Sequence, residues 1–337
     1  MLTINNNLFP KSSHDALLVL TDLEPDDVLA LYILLKKVDK TFPMLVIVGE
    51  GNINKTGMVT SLLNLMCFNN FTVVQGSLNL HKDFPEAACR VFGNTSPSPD
   101  SNVSIEIEEF LTKYDSPLIF GIKPFTELLD VNPDLLAKCV LALYGGFNLR
   151  CMSFSVSKDD IAEFVNTSFK HVILYESFYA AGEQNSVNKT NAADLFNIML
   201  KSKDPVLVGL VKLITIWNDH IADDCLLTTT TVSKQMNETW KDRQWDKLKK
   251  DFDQIYNRNL KVISSIIQAE NMQMVLADFG LAALLVSNDF IQGDAILCDI
   301  GFNQLGYTTF TAKANGGVKL VHGMGFDNIV RIVTNCM

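Results

Sequence analysis

What the sequence lacks sets the first limits. It has no C-x-x-C pair, and its seven cysteines (67, 89, 139, 151, 225, 298 and 336) are scattered and odd in number. Zinc ligation is therefore disfavoured, and a reduced, cytoplasmic setting is the simplest expectation. It has no long basic run, and its net charge is −10. That excludes nucleic acid and acidic membrane surfaces as natural partners, and favours a cation or a neutral polar ligand. No apolar stretch is long enough to span a bilayer. The first residues, MLTINNNLFPKSSHDALLVL, lack the basic start and small-residue cleavage site of a signal peptide. Internal repeats, low-complexity tracts and a clear linker are absent too, so one domain over residues 1–337 is expected.

What is present is a dense apolar content, 47% of residues, arranged in alternating runs. ALLVLTD reads as a buried strand and PDDVLALYILLKKV as a helix, with Pro25 in its first turn and Asp26 and Asp27 at its positive end. MLVIVGEGN, FTVVQGS, SPLIFG, KCVLALYGG and KHVILYES read as further strands. KTGMVTSLLNLMCF, VSIEIEEFLTKY, TELLDV and DDIAEFVNTS read as helices. The segment from Leu80 to Asp100 reads mostly as loop. This alternation predicts an α/β fold: a mostly parallel, doubly wound sheet with helices on both faces. A helical region over about 191–285 is expected to cover the pocket, and its charged stretch TWKDRQWDKLKK is a solvated face. The tail, including DNIVRIV, reads as short C-terminal strands. Sites in such folds lie beyond the carboxyl ends of the strands. Asp22, Asn52 and Asn148 fall at or just after such ends, and Lys123 to Thr126 open the following helix.

The stretch TDLEPDD carries four acids, Asp22, Glu24, Asp26 and Asp27, in six positions. The bland reading is that they favour a helix N-terminus, for which one or two would suffice. Four acids directly after a buried strand repel one another, and a bound divalent cation resolves that repulsion; oxygen-only ligands suit Ca²⁺ or Mg²⁺. The D-x-D-x-T pattern of haloacid dehalogenase-like phosphatases fails here at its third and fifth positions. The pattern D-x-x-x-D-D is met by Asp22, Asp26 and Asp27.

That pattern resembles the nucleoside hydrolases, enzymes that cleave the N-glycosidic bond of ribonucleosides. The resemblance continues in order along the chain. VIVGEGN is similar to the family's second strand, which ends in Gly-Asn, here Gly51-Asn52. IFGIKPFTELL…ALYGGFN is similar to the family's A-L-G-P-L-T-N segment and M-G-G strand. LADFGLAAL resembles its late D-P-L-A helix, with Asp278 at the aspartate. The resemblance implies one Ca²⁺ held by Asp22, Asp27, the Thr126 carbonyl and Asp278, with the ribose 2′- and 3′-hydroxyls and a water completing the shell. It further implies Asp22 as general base for that water, Asp26 on a ribose hydroxyl and Asn52 orienting ribose or water. The extra acid, Glu24, is expected to contact only solvent. Bland readings stand beside these: Asn52 as a turn cap, Thr126 as a helix cap, Asp278 as a helix N-terminal acid.

Two departures from the family pattern matter. Ala277 stands where many members have the histidine that protonates the leaving base, and Ser153-Phe154-Ser155 replaces the E-F-N segment that grips the ribose 5′ side. Asn148 and Arg150 follow a strand end and are candidate substrate contacts; Arg150 suits a phosphate or carboxylate. His81 lies where the family carries a pocket loop and is a candidate acid for the leaving group. The expected function is a Ca²⁺-dependent hydrolase of a ribonucleoside or related N-riboside. The alternative is a non-catalytic or weakly active relative that binds ribose or a nucleoside. A small-molecule riboside is the implied partner, and a homo-oligomer is compatible with the family.

Overall fold

The architecture is that of a computed structural model, which describes residues 2–3, 13–49, 52–77, 84–93, 95–98, 101–144, 158–176, 195, 198–199, 201–214, 216, 277–287, 296–302, 308–322 and 329–336. Eleven strands are described: β1 (Leu2–Thr3), β2 (Ser13–His14), β3 (Leu17–Thr21), β4 (Met44–Val48), β5 (Phe71–Gln75), β6 (Leu118–Gly121), β7 (Val140–Tyr144), β8 (His171–Glu176), β9 (Ile296–Phe302), β10 (Thr308–Ala312) and β11 (Val318–His322). The helices whose bounds are fully described are α1 (Pro25–Leu35), α2 (Lys55–Leu65), α3 (Val103–Thr112), α4 (Pro133–Leu136), α5 (Lys158–Thr167), α6 (Ala277–Val286) and α7 (Ile329–Cys336). None of the described helices is long and apolar enough to cross a membrane.

Nine strands form one sheet in the order β10-β9-β11-β8-β7-β6-β3-β4-β5. The six strands from β8 to β5 are parallel, β11 adds parallel to β8, and β9 and β10 close that edge antiparallel. This is the α/β architecture expected from the alternating runs. β3 is buried along its whole length. Its side chains alternate: Leu17 and Val19 enter the core shared with α1, α2 and α6, while Leu18 and Leu20 enter the core shared with α3, α4 and α5. The chain runs from β3 outward through β4 to β5, then returns to lay β6 on the other side of β3. Loops leaving β3 and β6 therefore diverge, which opens a crevice at their carboxyl ends.

Two expectations from the sequence need correction. TELLDV is no full helix: Thr126–Leu128 is a single 3₁₀ turn, followed by the short α4 that opens at Pro133. DNIVRIV is no strand: Ile329–Cys336 is helical. Its apolar residues recur at i, i+3 and i+4, and Ile332 and Val333 are buried, so the period is helical. Of the expected helical cover, the described residues 201, 205–214 and 277–286 are helical, and the charged stretch from Thr239 lies outside the described residues.

Candidate active site

The turn after β3 builds the site. Leu23 adopts a left-handed backbone (φ 56°), uncommon for a residue other than glycine, and that turn aims the chain from strand into helix. Glu24 is the N-cap of α1 and Pro25 its first residue, where a missing N–H costs nothing. Asp27 holds the turn closed. Its Oδ1 accepts from the Thr21 hydroxyl at 2.5 Å and from the Leu23 N–H at 3.3 Å, and its Oδ2 accepts from the Glu24 N–H at 3.1 Å. So the bland reading is true of Asp27: it caps the helix.

Capping does not account for Asp278. This residue comes from the first turn of α6, far along the chain, and α6 packs beside α1. Both helices are apolar on nearly every side, as buried helices are: Val28 to Leu35 and Phe279 to Leu285 face core wherever they point, apart from the close approach at Gly280. A Cβ at Gly280 would come within 2.7 Å of the Tyr175 ring, so a glycine there lets α6 lie tight against β8. The packing brings the two helix N-termini together. One carboxylate oxygen from each of Asp26, Asp27 and Asp278 lies within 4.8 Å of the others.

The electrostatics follow from that meeting. Asp22, Asp27 and Asp278 are buried, with 7%, 1% and 5% exposure, and Asp26 is partly exposed. Burial, then the charges of Glu24 and Asp22, push Asp26 up to about 7. Burial, then Asp22 and Asp278, hold Asp27 well above the ordinary carboxylate range. Burial, then Asp26 and Asp22, do the same to Asp278. Glu24 is thus no mere solvent contact: it is partly buried and its charge acts on both Asp26 and Asp278.

The donor set fits a hard divalent cation. All the groups offered are oxygens, and among the described residues the buried Asp278 Oδ1 has no hydrogen-bond partner. A buried polar atom left unpaired is costly and marks a place for a missing ligand. Cations bound by such oxygens are Ca²⁺ and Mg²⁺.

Of the other expected residues, Thr126 lies in the turn after β6, the neighbour of β3. Its carbonyl accepts from Leu129 N–H at 3.2 Å and retains a second lone pair. Asn52 behaves as a turn cap: Oδ1 accepts from Asn54 N–H at 2.9 Å, and Nδ2 donates to the Phe84 carbonyl at 3.4 Å. Asn148, Arg150 and His81, and the Ser153-Phe154-Ser155 segment, lie outside the described residues.

Two lysines were missed by the sequence reading. Lys55 is 2% exposed, donates from Nζ to the Asp22 carbonyl at 2.5 Å, and stands 4.2 Å from the centre of the Phe84 ring. It is the first residue of α2, a helix end whose dipole disfavours a cation, and that misfit was the available signal. Lys123 is 3% exposed and pairs with the buried Glu127, Nζ to Oε1 at 2.5 Å. Burial raises the Glu127 carboxyl, but the Lys123 charge and hydrogen bond outweigh it and leave the net shift downward. The signal there was the G-P-L-T-N motif itself, read here as Lys123-Pro-Phe-Thr-Glu127, with opposite charges four residues apart.

No family model matches the sequence, and no curated protein matches it. Solved structures do. An inosine-guanosine nucleoside hydrolase superposes with a TM-score of 0.61 at 12% identity, covering 96% of this chain and 98% of that one. The plant nucleoside hydrolase PpNRh1 gives 0.60 at 11%, again over 96% and 98%. The effector protein XOO4466 gives 0.56 at 12%, over 98% and 92%. The resemblance read from scattered motifs is therefore a resemblance of the whole architecture, and the chain has the nucleoside hydrolase fold.

Proposed function

We propose that this chain is a Ca²⁺-dependent hydrolase of the N-glycosidic bond of a ribonucleoside or related N-riboside. The observation that carries the reading is the meeting of Asp26, Asp27 and Asp278 beside Asp22, with one buried carboxylate oxygen unpartnered among the described residues. Asp22, Asp27, Asp278 and the Thr126 carbonyl are the groups that would hold the ion. A divalent cation there supplies the positive charge the acids lack and makes nearby water more acidic.

The chain's own residues do the rest. Asp22 takes a proton from the water that attacks C1′ of the ribose. The C1′–N bond breaks, its electron pair leaves with the base, and the water oxygen remains on C1′ as a hydroxyl. The ring gains oxocarbenium character on the way, and the surrounding carboxylates stabilise that positive charge. Asp26, at the partly exposed edge of the cluster, accepts from a ribose hydroxyl. Asn52 orients the ribose from the next loop. Asn148, Arg150 and His81, which lie outside the described residues, are the further substrate contacts of this proposal, with Arg150 suited to a phosphate on the 5′ side.

The leaving group is the point at which the substrate class narrows. A neutral purine must take up a proton as it departs, and Ala277 has none to give. A cationic nicotinamide departs as a neutral base and needs no acid. Initial rates on nicotinamide riboside, its 5′-phosphate, uridine and inosine, at saturating Ca²⁺ and in chelator, test the reading. The nicotinamide ribosides should turn over fastest, and chelator should abolish turnover. Faster hydrolysis of inosine overturns the leaving-group argument. Ribosides that raise the melting temperature yet release no base would make the protein a ribose-binding relative, a second reading that Ala277 favours.

A further inference from the structure

We propose that the buried Lys123–Glu127 pair is a positioning device that bonds the loops after β5 and β6 together, packs against the β4 loop at Gly49, and so aims the Thr126 carbonyl at the cation. The inference rests on the reading above and adds a part to it. The pair follows β6 and reaches across the end of β3, which lies between β6 and β4, to the loops after β4 and β5. Its side chains are 2% and 4% exposed, and Nζ stands 2.5 Å from Oε1. Glu127 Oε1 also accepts from the Ser77 N–H and the Ser77 hydroxyl, each at 3.0 Å, just after β5. Glu127 Oε2 accepts from the Thr126 hydroxyl at 3.3 Å. Lys123 Nζ donates in addition to the Pro124 carbonyl at 3.1 Å, within its own turn.

The loops are fitted to this pair at the level of backbone. A Cβ at Gly49, after β4, would stand 2.9 Å from Lys123 Nζ, and one at Gly76, after β5, would stand 2.7 Å from Glu127 Oε1. Gln75 ties the same two loops from beside them, its Nε2 donating to the Val48 and Gly76 carbonyls at 2.9 and 3.1 Å. The β4 loop leads to Asn52 and the turn after β6 contains Thr126, so a single ion pair sets the relative placement of two proposed contacts. Between Lys123 and Glu127 the turn is pinned at both ends, by the Pro124 carbonyl and by the carboxylate. The direction of the Thr126 carbonyl is thereby fixed. An apolar pair of similar volume would fill the space with at least equal stability, because burying both charges sacrifices their hydration. What an apolar pair cannot do is register the β5 and β6 loops through directed bonds.

The test is calorimetric titration of Ca²⁺ into the full chain, well below the melting temperature. Wild type is compared with Glu127→Gln, Lys123→Met and the double variant Lys123→Met/Glu127→Gln. Glu127→Gln is isosteric, and the double variant leaves no buried charge alone, so folding does not hang on one substitution. Each variant should bind Ca²⁺ at least about tenfold more weakly, the range seen when groups that orient metal ligands are removed. The double variant should lose no more than the worse single one, since the two side chains act as a unit. A lowered melting temperature with affinity within about twofold of wild type overturns the inference and leaves the pair a structural one. A wild-type chain that binds no Ca²⁺ overturns the reading of the site, and the inference with it.

Discussion

In metal-stripped buffer the stability of this fold should fall as the pH rises from 5 to 8, and Ca²⁺ should abolish the fall. The cause is the acid cluster. A carboxyl whose folded pKa is raised keeps its stabilising proton below the unfolded value and loses that stability as the pH climbs through the folded one. For Asp26 the limits are 3.8 and about 7. That span corresponds to at most about 4 kcal/mol, and part of Asp26 faces solvent, which brings the figure down to the order of 2 kcal/mol. Most of this, on the order of 1–2 kcal/mol, falls between pH 5 and 8. Unfolding entropy of about 2.1 cal/mol/K per residue over 337 residues makes that worth about 2 °C in Tm. Asp27 and Asp278 are raised by the same burial and crowding, so 2 °C is the least expected. Thermal melts at pH 5 and 8, on wild type and Asp26→Asn, isolate the effect because the histidine contributions cancel in the difference. Asp26→Asn should gain on wild type as the pH rises. Saturating Ca²⁺, at about a thousand times its Kd, should stabilise wild type by about 4 kcal/mol, or roughly 6 °C. An identical fall in Asp26→Asn, or a Tm at pH 8 indifferent to Ca²⁺, would refute the reasoning.

Three shorter predictions follow from other residues. Asp22→Asn keeps an oxygen for the ion but cannot take a proton, so riboside should still raise the Tm while turnover drops on the order of 10²–10⁴-fold, read by base release. Lys55→Met removes the donor to the buried Asp22 carbonyl and should lower stability by about 1–3 kcal/mol, seen in denaturant melts; an unchanged midpoint would show that Lys55 is dispensable. Burial holds the His14 imidazole below 6.5 although its Nδ1 meets the Ser116 carbonyl at 3.1 Å. Its stability is therefore complete above 6.5 and lost as the pH falls through the folded value, and His14→Gln should flatten the acid side of the wild-type profile.

Much of the fold was legible because its signal is local. Parallel strands buried on both faces must be continuous apolar runs, and LLVLT, MLVIV and VLALY are such runs. The acid cluster was legible for the same reason: three of its members share one short turn. DNIVRIV was misread because a run of seven apolar and polar residues fits two periods, and only the packing of Ile332 and Val333 decides. TELLDV was misread because Asn132 and Pro133 start a new helix three residues later, leaving room for one turn. Lys55, Lys123 and Glu127 escaped because the sequence does not say which charges are buried. A lysine is ordinarily at the surface, and what draws these inside are, for Lys55, a carbonyl and an aromatic ring supplied by other loops and, for Lys123, a carboxylate four residues on in its own turn. The pairing of Asp278 with Asp27 was visible only through the late motif, since no local pattern joins residues so far apart.

The position of the cluster explains why the chain can keep four acids in so small a space. The order of strands puts a crevice between β3 and β6, and the turn after β3 places Asp22 in it. Each helix brought to that crevice enters by its N-terminus, where unpaired N–H groups and the dipole favour negative charge. α1 brings Asp26 and Asp27, and α6 brings Asp278. Lys55 adds one buried positive charge from α2, bonded to the Asp22 carbonyl. Those offsets are partial, because burial and mutual repulsion still raise Asp26, Asp27 and Asp278 above their ordinary range. Had the acids served the helix ends alone, Asp27 would satisfy that role by itself, with three donors on its two oxygens. Asp278 would then have no reason to present a bare buried oxygen to the same point. On the proposed function, the residual repulsion is what a divalent cation would relieve, and the same surplus of negative charge would stabilise a ribose ring as it becomes positive. Binding the ion and favouring the transition state would then draw on one feature of the fold: two buried helices whose first turns meet at the open end of β3.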